Sequence, residues 1–121
     1  MQNAKDLLEI LKSQETLYTE MRDILEAEKE CVVTWDADKT IDLVKKKDTL
    51  AYKEKVLDEA FRKNLKKIET EMDTDKLRVQ DIPESIAGEY HEELQASRVR
   101  LIKLIEEVAR INTSLKIIYK T

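Results

Sequence analysis

In 121 residues the chain has one glycine, one proline, one cysteine and one histidine, and aromatic residues make up only 5%. Each scarcity excludes something. A single glycine cannot supply a Gly-rich phosphate loop or a G-x-S-x-G nucleophile elbow. So little Gly and Pro argues against strands joined by tight turns. A single cysteine, Cys31, permits no internal disulfide. No apolar run exceeds three residues, too short for a membrane-spanning helix. The N-terminal stretch Met1–Lys12 lacks a basic region followed by an apolar one, so no signal peptide is expected. Together these features point to the cytoplasm.

The lone His91 offers little chemistry. A helical di-metal site needs two Glu-x-x-His units, but the residue three before His91 is Gly88 and there is no second histidine. Zinc needs more nitrogen or sulfur ligands than His91 and a distant Cys31 provide. Phosphotransfer histidines sit in His-x-x-Lys-Gly, whereas this run reads His91-Glu92-Glu93-Leu94-Gln95, with acidic neighbours that oppose a phosphoryl group. The expectation is no enzyme, no metal and no cofactor.

What is present is charged and hydrophobic side chains, at 40% and 41% of residues. That balance suits long amphipathic helices. The net charge of −4 is unevenly spread: residues 1–93 hold 16 basic and 24 acidic side chains, and residues 94–121 hold 6 and 2. The basic end lacks interleaved stacking aromatics, so nucleic acid is not an expected partner.

Hydrophobic spacing predicts an all-α fold: a long antiparallel helical hairpin with a third long C-terminal helix packed on it, a three-helix bundle forming one domain over 1–121. Leu7, Leu11, Tyr18, Met21, Leu25, Val32 and Trp35 mark one helical face, read as a helix over about residues 4–34, with Ile10, Leu17, Ile24 and Cys31 beside it. Asp36 reads as the N-cap of a second helix over about 37–72, striped by Leu43, Leu50, Leu57, Phe61, Leu65, Ile68 and Met72. A helix running straight through residue 40 is the competing reading. Residues 73–82 lose the helical period and form a linker that Leu77, Val79 and Ile82 could anchor. Asp81 and Glu84 have capping-box spacing around Pro83. The third helix is expected over about 83–119, along two heptad lines: Ala87, Leu94, Leu101, Val108, Leu115 and Tyr90, Ser97, Leu104, Ile111, Ile118.

That last helix is more apolar than a bundle requires. Successive steps of 100° spread its apolar positions over roughly 200°, against the roughly 120–160° needed by a helix set between two neighbours. The excess is Ile102, Ile105 and Ala109 on one flank, with Ile117 to Tyr119 at the end. Asn112 falls within the apolar arc, either as a register-fixing core residue or as a polar contact for a partner.

The stretch WDADKTIDLVKKKDTLAYKEKVLDE, residues 35–59, resembles the FlgN family of flagellar export chaperones. Asp36 at the turn, Leu43, Lys47 and Leu50 carry the likeness. In the closing LIKLIEEVARINTSLKII, Arg110 and Asn112 match the family's Arg-x-Asn; a second Asn of that pattern is replaced here by Leu115. The resemblance implies a cytoplasmic chaperone that holds hook-associated proteins unassembled before type III export. It implies contact with C-terminal helical segments of the client through Ile102, Ile105, Ala109, Asn112, Leu115, Ile118 and Tyr119. Export-apparatus proteins are further partners on this reading, and a homodimer stays open. The alternative is a self-associating coiled coil with no export role.

Overall fold

The computed structural model describes residues 2–120. It is all-α: α1 spans Gln2–Val33, α2 Ala37–Met72, α3 Glu84–Ala87 and α4 His91–Lys120. α1 and α2 form the hairpin and α4 lies along α1. The short α3 and two single 3₁₀ turns, Val79–Asp81 and Gly88–Tyr90, lead into α4.

Hydrogen bonding, rather than glycine, ends both hairpin helices. At the end of α1 the Asp36 amide donates to the Cys31 carbonyl and the Trp35 amide to that of Val32. This is the paired closure of a Schellman turn. It places Trp35 at φ 60°, a left-handed conformation that costs a non-glycine residue roughly 1–2 kcal/mol. Asp36 then caps α2, its carboxylate accepting from the Lys39 amide at 3.2 Å. The chain therefore turns here, and the straight-helix reading is excluded. The same closure ends α2, where Asp73 stands at φ 51° and the Thr74 amide reaches the Glu69 carbonyl.

The linker is pinned by its apolar residues: Leu77, Val79 and Ile82 are all buried. Glu69 accepts from the Leu77 amide, and Gln95 of α4 donates to the Val79 carbonyl. Two sequence expectations change in this region. Asp81 pairs with Arg78 at 3.0 Å, leaving Pro83 as an N-cap without a side-chain bond, so no capping box forms. The third helix is also not continuous from residue 83. Gly88 adopts φ 58°, ψ −130°, a region open essentially to glycine alone, and breaks it into α3 and α4. The heptad register survives the break, with Ala87 and Leu94 fully buried on either side.

One packing fact organises the molecule. α1 lies against both α2 and α4, whereas α2 and α4 scarcely approach each other. The central helix is thus the first, which accounts for its two adjacent apolar lines. The core has two parts. One joins Ala4, Leu7, Leu8 and Leu11 to Ile68, the linker anchors, Ala87, Leu94 and Leu101. The other joins Leu17, Met21 and Leu25 to Leu50, Val108, Ile111 and Leu115.

Buried polar groups cross-brace these layers. Ser97 of α4, fully buried, donates to Glu15 of α1 at 2.6 Å, and Arg100 pairs with the same carboxylate at 2.6 Å. Burial pushes the Glu15 carboxyl up, but the hydrogen bonds from Arg100 and Ser97 outweigh it and hold the group below its ordinary value. Glu28, 0% exposed, accepts from Lys47 of α2 at 2.7 Å and from the Tyr119 hydroxyl of α4 at 3.3 Å. One buried carboxylate thereby ties three helices together.

Candidate functional site: the groove between α2 and α4

Because α2 and α4 diverge over α1, a groove of about 240 Å³ opens between them. Leu11, Gln14 and Tyr18 of α1 form its floor. Asp58 and Phe61 of α2 make one wall, and Arg98, Leu101, Ile102 and Ile105 of α4 make the other. Ile102 is 40% exposed and Ile105 41%, values that leave an aliphatic edge open to a partner.

The groove is mainly apolar with fixed polar points. Tyr18 donates to Glu54 at 2.8 Å across the hairpin. Burial, reinforced by the bond to Glu54, pushes its phenol well above the ordinary range, so the hydroxyl stays a neutral donor. Asp58 is held by Arg62 at 3.0 Å. Arg98 makes no ion pair among the described residues, which leaves a free cation on the α4 wall.

The site residues named from the sequence divide into three groups. Ile102 and Ile105 line the groove. Ala109 and Asn112 lie seven residues further along, offset by only about 20°, and both are exposed on the same flank. Asn112 is therefore not the register-fixing core residue that the apolar arc suggested. Leu115 is 2% exposed and packs in the core, beneath the flank and out of a partner's reach in this arrangement. Its apolar side chain suits that place where an asparagine would need a buried partner.

Ile118 and Tyr119 belong to a different place. With Cys31, Val32, Trp35, Ala37, Thr40 and Ile41 they line a second apolar hollow of about 400 Å³, at the α1–α2 turn. Burial and the adjacent Glu28 carboxylate raise the Tyr119 phenol above its ordinary value. Sequence reasoning thus merged two surfaces into one stripe, and it missed Tyr18 and Phe61 as groove residues. Both were visible as members of apolar lines; which groove they face depends on how the helices are arranged around α1.

Among the described residues, no group of three or more His, Cys, Asp or Glu is placed to hold a metal ion. Among the same residues no helix is long and apolar enough to cross a membrane. The fold and groove define a class: an all-α bundle with an open, mainly apolar groove beside its last long helix. The chain matches the family model described as FlgN protein over residues 1–120 and belongs to the FlgN family. No curated protein and no solved structure matches it.

Proposed function

We propose that this protein is a flagellar export chaperone, acting in the cytoplasm and without catalysis. It binds a helical C-terminal segment of hook-associated clients in the groove between α2 and α4 and keeps them unassembled before type III export. Family membership supports the chaperone role. The observation that carries the binding mode is the aliphatic edge of Ile102 and Ile105 facing Phe61 across a groove floored by Tyr18.

Docking an amphipathic helix there buries client apolar side chains that would otherwise drive self-association. Ala109 and Asn112 extend the contact along α4, Asn112 offering an amide to the client's polar edge. Leu115 supports this flank from below. Ile118 and Tyr119 lie beyond the groove, where a longer client segment would reach them.

Calorimetry with a C-terminal peptide of a hook-associated protein tests the reading. Binding is expected for the wild type. Ile102→Asp combined with Ile105→Asp should abolish it while circular dichroism stays helical, because both side chains already sit partly in water. Failure of any such client to bind the wild type would sink the proposal.

A further inference from the structure

The groove between α2 and α4 is lined by two charged side chains, Asp58 on the α2 wall and Arg98 on the α4 wall. Asp58 is answered on its own helix by Arg62 at 3.0 Å. Arg98 makes no ion pair among the described residues, and in this it differs from most of the chain's arginines. Arg22, Arg62, Arg78 and Arg100 all pair with carboxylates. Arg110 is exposed to water, whereas Arg98 is half-buried. A partly desolvated cation without an anion is costly to keep, and its planar fork of N–H donors fits a carboxylate.

The surroundings favour an anion. Steps of 100° per residue place Ile102, Ile105, Ala109 and Lys116 within about 40° of Arg98 on α4, and no acidic residue of that helix within about 60°. The nearest by angle, Glu106, stands about 80° away and about 12 Å further along. The linker also bounds the groove at this end. Val79 lines it beside Arg98, and the Val79 carbonyl is held by Gln95, one turn earlier on α4. In the other direction α4 runs on past Ile102 and Ile105 to Ala109 and Asn112, which are exposed. A helix lying in the groove has room to continue along Ala109 but meets the linker at Arg98.

Resting on the client-binding reading above, we infer that Arg98 takes the C-terminal carboxylate of the client chain. The last turn of the client helix then abuts the linker. Its earlier turns lie over Ile105, Ala109 and Asn112, so it runs antiparallel to α4. Two negative charges meet the guanidinium there: the terminal carboxylate, ionised at neutral pH, and the negative end of the helix dipole. A carboxylate midway along a longer helix would reach Arg98 only if that helix continued through the linker. Capturing a chain end in this way also gives selectivity, because an apolar helix from the interior of another sequence has no terminal carboxylate to offer.

Calorimetry of the full chain with two synthetic peptides tests this. Both carry the last ~25 residues of a hook-associated protein, enough for roughly 38 Å of helix. One ends in a free carboxylate and the other in a carboxamide. The amide is expected to bind about tenfold more weakly, between the effect of an exposed ion pair and that of a buried one. Arg98→Met should bind the free-carboxylate peptide as weakly as the wild type binds the amide, and should not distinguish the two peptides. The comparison of peptides on the wild type does not depend on how the variant folds. Equal binding of both peptides by the wild type overturns the inference while leaving client binding intact, as does an amidation penalty that persists in Arg98→Met. A tenfold loss on changing a peptide Asp or Glu to its amide, with the terminus indifferent, gives Arg98 to a side chain and overturns it as well. Binding of neither peptide removes the client reading itself, and this inference with it.

Discussion

The two ends of the bundle are built from similar residues and finished differently. At the linker end, Leu7, Ile68, Ile82, Ala87 and Leu94 are almost wholly buried. At the turn end Val33, Trp35, Ile41, Ile117 and Tyr119 all remain exposed, Trp35 at 89%. The difference lies in the connections. Eleven residues, 73–83, cross the linker end and lay Leu77, Val79 and Ile82 over it. At the other end residues 34–36 join α1 to α2 and have no length left to cover anything. Where chain is available to seal a helix end, apolar burial stabilises it. Where it is not, the end is held by a polar tie, Glu28 with Lys47 and Tyr119, and the apolar side chains around it stay open.

Three substitutions probe that contrast. The largest effect should come from the sealed end. Ile82→Ala is expected to cost about 2–4 kcal/mol in denaturant unfolding, the usual penalty for truncating a buried aliphatic residue. A cost well under 1 kcal/mol would mean that the linker does not close the core. At the open end, Lys47→Met removes the cation from a fully buried carboxylate. Breaking a buried pair typically costs about 3–5 kcal/mol; Lys47 is partly exposed, so about 1–3 kcal/mol is expected here. Amide exchange should accelerate in the last turns of α4, and uniform acceleration along the chain would count against a local tie. The smallest effect runs the other way. Trp35→Gly should stabilise the protein by about 0.5–1 kcal/mol, because glycine accepts the left-handed conformation and the exposed indole packs little. Destabilisation by this change would show that Trp35 supports the turn-end hollow.

Much of this was legible in the sequence, for a physical reason. Helical faces are local: a residue three or four positions on shares a face whatever lies opposite. The apolar lines therefore marked α1, α2 and α4, and the linker anchors stood out because Leu77, Val79 and Ile82 break an otherwise polar run. The N-cap at Asp36 was legible too, because a capping carboxylate acts within three residues. Less legible were features that depend on competition between partners. Asp81 had capping-box spacing to Glu84 but found Arg78 first. Gly88 stood between the first members of the two heptad lines, Ala87 and Tyr90, and the lines alone do not reveal that the backbone breaks there.

The candidate site divides the same way. Ile102, Ile105 and Ala109 were set apart by an apolar arc wider than one contact needs, and the structure leaves them exposed. Leu115 and Asn112 could not be sorted by angle alone, since the two lie within about 60° of one another on the wheel. Only the direction of α1 decides that Leu115 goes inward and Asn112 outward. Ile118 and Tyr119 follow the same stripe, yet they end against the α1–α2 turn instead of the groove.

The sequence by itself determined an all-α chain, its three long amphipathic segments, the capping residue Asp36 and the apolar excess on the last helix, because periodicity and capping act over a few residues. Tertiary structure alone decided which helix is central. Periodicity records the width of an apolar stripe but not the direction of each neighbour. With α1 placed between α2 and α4, the outer two diverge, and their divergence creates the groove.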